Sequence, residues 1–131
     1  MKKKLLFTGG VLALLFVVLH LAFPKMFDWT NDLSHLTKVN YGIFWIFHIA
    51  IIYLLVMSAI VCFKLASKPT FTTSERIVLV SYAGFYLLRI VLGPVFLGIE
   101  IIVWLVCLLT ALCYIIPVVI DIKTNGIYYE K

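Results

Sequence analysis

Apolar residues along this chain gather into four long runs instead of the short alternating stretches of a sheet protein. The runs are Leu5–Phe23, Tyr41–Phe63, Ile77–Leu97 and Ile99–Ile120, between 19 and 23 residues each. A helix needs about 20 mostly apolar residues to cross a bilayer. The pattern therefore predicts an all-α, polytopic transmembrane bundle of four helices.

Polar and helix-breaking residues fall where such runs should end. Pro24 closes the first run, because proline lacks the amide proton a helix interior needs. The segment "KPTFTTSER" reads as a loop, and Thr72 with Glu75 has the spacing of a capping box opening the third helix. Gly93-Pro94 either kinks the third helix or ends it. Pro117 predicts a kink near the inner end of the fourth. Gly9-x-x-x-Ala13 is a small-x-x-x-small step of the kind that lets membrane helices approach closely.

Composition strengthens this picture. Of 131 residues, 64% are hydrophobic and 13% charged, about half the charge of an ordinary soluble domain. A soluble domain this small could not hide so much apolar surface. The whole chain, 1–131, reads as a single integral membrane domain.

The net charge of +5 is informative through its distribution. Lys2, Lys3 and Lys4 precede the first span, and Lys64, Lys68 and Arg76 lie between the second and third. Lys25 and Lys38, in the first outer connection, are balanced by Asp28 and Asp32. With both ends inside, eight of the eleven Lys and Arg are cytoplasmic and two are opposite. This is the positive-inside pattern, which argues against a nucleic-acid partner. It implies an N-in, C-in protein of the cell membrane, here a bacterial cytoplasmic membrane. The first run, 19 residues long, exceeds the apolar core of a signal peptide and lacks a small-x-small cleavage site, so it reads as a retained helix. Cys62, Cys107 and Cys113 show no C-x-x-C spacing and read as small buried hydrophobes, with no metal site.

Depth along the helices then locates the candidate chemistry. At about 1.5 Å per residue, His20 lies about 5 Å below the outer end of its span and His48 about 10 Å. Arg89 lies about 12 Å deep if its helix runs to Leu97. Glu100 opens the fourth span at the outer surface. Every ionisable residue inside the apolar runs thus falls in the outer half of the bilayer. Trp29, Trp45 and Trp104 lie on that side too, either as interfacial anchors or as lining of a pocket.

Helical spacing places Tyr82, Phe85, Arg89 and Gly93 on one stripe, Tyr41, Trp45 and His48 on a second, and Glu100, Trp104, Cys107, Ala111 and Tyr114 on a third. If these stripes face inward, His20, His48, Arg89, Glu100, Trp45, Trp104 and Tyr82 enclose a ligand site open to the outer leaflet. Asp28, Asp32 and His35 would form its lid, and Glu100 or an outer aspartate would pair with Arg89. An unpaired charge in lipid costs on the order of 3 kcal/mol.

Two classes of function remain open. In one, the polar cluster binds a membrane lipid or another hydrophobic small molecule. In the other, the protein is a non-enzymatic accessory or scaffold, and the cluster only fixes helix register. Catalysis lacks a recognisable nucleophile–base pair, phosphate loop or H-E-x-x-H motif. A haem reading would use His20 and His48 as axial ligands. A transporter of this size would need a homodimer to enclose a pathway.

"HLAFPKMFDW", His20 to Trp29, resembles the end of the first span in small four-span bacterial membrane families of DoxX-like layout. The matching positions are His20, Phe27 and Trp29, while "VNYGIFW" departs from the polar start expected of the second span. The resemblance implies a compact four-helix bundle in the cytoplasmic membrane and assigns no activity.

Overall fold

The computed structural model describes residues 1–97 and 101–129. It contains α1 (Lys2–Met26), a single turn α2 (Trp29–Asp32), α3 (Lys38–Ala66), α4 (Thr73–Leu97) and α5 (Ile101–Tyr129). Four of these helices are long and apolar enough to cross a membrane, and each continues past the apolar run that announced it. Among the described residues there is no strand.

Small residues set the packing. α1 lies closely against α3 and α5, and α4 against α5. Gly9 faces α5 so closely that a Cβ there would sit 3.1 Å from Cys113 Cβ and from Tyr114 Cε2. Gly10 faces α3, and its Cβ would meet the Phe63 ring at 2.7 Å. The paired glycines thus let one helix serve two neighbours, as small residues do in membrane bundles. α3 and α4 are not a closely packed pair; Tyr86 Oη reaches across to Ser58 Oγ at 3.4 Å. The core includes Leu6, Phe16, Leu55, Leu79, Ala83, Cys107, Ala111 and Tyr114. All three cysteines are free thiols buried in it.

Pro24 does not close the first helix as expected, and of the two alternatives for Gly93-Pro94 the helix does not end there. Pro24 lies inside α1, which runs on to Met26, and Pro94 lies inside α4, which runs to Leu97. Membrane helices tolerate proline when another donor takes up the freed carbonyl. For Pro94 that carbonyl is Ile90 O, four residues earlier, and Trp104 Nε1–H donates to it at 3.2 Å. The capping box is present: Glu75 N–H donates to Thr72 Oγ1 at 3.3 Å, and Thr72 N–H to Glu75 Oε2 at 2.9 Å.

The end of the bundle where α1 begins carries a charged lock that the sequence reading did not foresee, built on Asp121, one residue beyond the fourth apolar run. Asp121 is fully buried. Lys2 Nζ donates to its Oδ1 at 2.7 Å. Arg76 donates to its Oδ2 through Nη2 at 2.9 Å and Nε at 3.1 Å, and the Phe71 amide adds a bond at 3.2 Å. Lys2 also bonds Pro69 O and lies over the Phe71 ring. One carboxylate therefore ties α1, the α3–α4 loop, α4 and α5 together.

Candidate functional site

The half of the bundle nearer the α1–α3 connection brings His20 and His48 together. Their ring centroids are 5.8 Å apart and nearly parallel. α1 and α3 run in opposite directions, so His20, 18 residues after the start of α1, and His48, 18 residues before the end of α3, each lie about 27 Å from the same end of the bundle. His20 Nδ1 lies 2.9 Å from Phe16 O. A carbonyl only accepts, so Nδ1 carries the proton, and neutral His20 keeps a lone pair at Nε2. His48 is 7% exposed.

Aromatic rings surround this pair. Trp29 packs edge-on against His48 at 4.7 Å and against Trp45 at 5.7 Å, and Phe23 packs on His20 at 4.7 Å. The α1–α3 connection therefore covers the site through Trp29, which packs back from α2. The expected lid residues Asp28, Asp32 and His35 are exposed, and Asp28 accepts a bond from Asn31. Trp45 Nε1 is buried with no hydrogen-bond partner among the described residues.

Arg89 occupies the third side. It is partly buried and close enough to His20 and Cys107 to act on them electrostatically. Its Nη1 lies 2.7 Å from where a Gly93 Cβ would stand. The side chain thus runs one turn outward along α4, across the bare backbone of Gly93, as a snorkelling cation does. Among the described residues no carboxylate forms an ion pair with it. Neither Asp28 nor Asp32 pairs with it, and Glu100, the other expected partner, lies outside the described residues.

The other nominated residues sit elsewhere. Trp104 is 41% exposed and bonds Ile90 O, so it staples α4 to α5 instead of lining the site. Tyr82 packs against Tyr114 at 6.3 Å, deeper in the bundle. The stripe assigned to α4 is rotated from its true buried face, which is Leu79, Ala83, Tyr86 and Gly93; Tyr82, Phe85 and Arg89 form its shoulder. Tyr41 is likewise exposed, while Trp45 and His48 turn inward.

Among the described residues no three His, Cys, Asp or Glu side chains come together as a metal-binding group. Comparison with family models, curated proteins and solved structures returned no match.

Proposed function

We propose that this is a multi-pass protein of the cell membrane, N-in and C-in. In this reading it binds the anionic end of a lipid or similar hydrophobic molecule in the outer half of the bilayer. The observation that carries the reading is the buried, unpartnered indole N–H of Trp45. It sits beside a histidine pair and a guanidinium with no ion pair to a described carboxylate. An indole N–H with no partner among the described residues and a guanidinium favour an acceptor that carries negative charge. Trp45 supplies a hydrogen bond, Arg89 supplies charge, the histidine pair walls the pocket, and Trp29 covers it.

The topology is supported by the lysine and arginine distribution. A reporter fused after Lys131 should act as cytoplasmic, and periplasmic activity would overturn it. Ligand binding is tested by thermal-shift measurements on the purified protein. Phosphatidylglycerol, oleate and a zwitterionic lipid should be compared on the parent and on Arg89→Leu. A ligand stabilises only the state it binds, so anionic ligands should raise the parent's midpoint and not the variant's. Equal shifts would refute the reading. A Soret band in the purified protein would instead assign the histidines to haem.

The accessory-protein reading is favoured by the Trp104–Ile90 bond, which secures α4 to α5 without any ligand. Under it, Arg89→Leu folds as well as the parent and no ligand stabilises either protein.

A further inference from the structure

The end of the bundle where α1 begins carries more positive charge than its own acids neutralise. Lys2 and Arg76 hold Asp121, and Lys68 holds Glu75. Lys3, Lys4 and Lys64 are exposed and form no ion pair among the described residues. The other described acids, Asp28 and Asp32, lie beyond the far end of α1. Like charges left together repel, and a counter-anion relieves the repulsion.

Helix register shows where these three ammonium groups stand. Seven residues make close to two full turns, so Lys2 shares a face with Gly9, Lys3 with Gly10 and Lys4 with Val11. Gly9 faces Cys113 and Tyr114 of α5, and Gly10 faces Phe63 of α3. The bond from Lys2 to Asp121 of α5 agrees with that register. Lys3 therefore stands on the α3 side. Lys4 stands one step further round, away from α5 and in line with the exposed Val11. On α3, Cys62 is buried in the core and Phe63 meets α1, so Lys64, the next step round, lies on the side away from the core. All three lysines thus share the outward edge of the α1–α3 pair. Phe7 marks the same edge: it packs on Phe63 at 5.4 Å between ring centroids and is 57% exposed.

We propose that this edge binds a phospholipid headgroup carrying two phosphates, its acyl chains lying along Phe7 and Val11. A lipid fits better than a soluble anion because the lysines cap an exposed apolar stripe. Three ammonium groups exceed what a single phosphate neutralises, and lysines clustered where helices leave the membrane attract multiply charged headgroups. Exposed charges are screened by salt, so this lipid exchanges freely and is removed by salt, unlike an anion enclosed beside Trp45. The edge shares no residue with the Arg89 site, so either can fail without the other.

The test is native mass spectrometry of the full chain carrying Arg89→Leu, which leaves this edge intact and takes the other site out of the measurement. The probes are tetraoleoyl cardiolipin, dioleoylphosphatidylglycerol and soluble pyrophosphate. The two-phosphate lipid should bind about tenfold or more tightly than the one-phosphate lipid, raised salt should remove it, and equimolar pyrophosphate should not displace it. Replacing Lys3, Lys4 and Lys64 together by Gln should weaken binding about a hundredfold, and replacing all three by Arg, which keeps the charge, should preserve it. Replacing Lys25, Lys38 and Lys123 by Gln removes the same charge elsewhere and should leave binding unchanged. Equal losses in the two glutamine variants, the result expected of net charge alone, would overturn the proposal. So would equal affinity for the two lipids, or displacement by pyrophosphate, which would mark a site for a free anion.

Discussion

Replacing Asp121 by Leu removes the one acceptor that holds four elements at the end of the bundle where α1 begins. The Phe71 amide is left buried without a partner, at about 1–3 kcal/mol. Breaking a buried ion pair by deleting one partner costs about 3–5 kcal/mol where the other charge is trapped. Here it is not fully trapped: the side chains of Lys2 and Arg76 are 20% and 27% exposed and can turn towards water or lipid phosphate. A loss of about 2–4 kcal/mol is therefore expected, below the roughly 4–8 kcal/mol of the summed terms. Asp121→Asn keeps one carbonyl acceptor and loses the charge, so its loss should be smaller, about 1–2 kcal/mol. The assay is reversible unfolding in mixed micelles, comparing free energies of the parent and both variants. A leucine variant within about 0.5 kcal/mol of the parent would place it among ordinary surface substitutions and refute the lock.

Other consequences are equally direct. Gly9→Val drives a side chain into Cys113 and Tyr114, and overpacking of this kind costs about 1–3 kcal/mol; Gly42→Ala, with nothing within 4 Å of the new Cβ, should be neutral or slightly stabilising in the same melting experiment. Trp104→Phe leaves Ile90 O without its donor and should cost about 1–3 kcal/mol. In a Pro94→Ala background the restored amide can take that carbonyl, so a double-mutant cycle should show coupling of about 1 kcal/mol; strict additivity would contradict the pairing. Gly93→Ala places a methyl where Arg89 Nη1 lies, so the guanidinium must move, and anionic-ligand shifts should shrink while the unliganded midpoint changes little.

The four spans were legible because length and apolar continuity are the strongest demands a bilayer makes on a sequence. The capping box was legible because its chemistry is local, confined to Thr72 and Glu75. What escaped the sequence was set by distant partners. Asp121 reads as a tail residue until folding brings Lys2, 119 positions away, onto its carboxylate. Pro94 reads as a possible stop until an indole from the next helix takes the carbonyl it frees. Tyr82 and Arg89 share a stripe by spacing, but the packing of α4 on α5 turns that stripe to the side of the core. The meeting of His20 and His48 was foreshadowed by depth alone. The covering role of Trp29 was not, since it depends on a residue at left-handed φ, Asp28 at 43°, that turns the chain back over the bundle.

The outer site is tested most directly by native mass spectrometry of the protein released from bacterial membranes, parent beside Arg89→Leu. If Arg89 and the histidine pair hold an anionic lipid, the parent should carry a bound anionic lipid that survives detergent stripping, and the variant should lose it while keeping its zwitterionic adducts. Parent and variant retaining the same anionic lipid to the same extent would contradict the account.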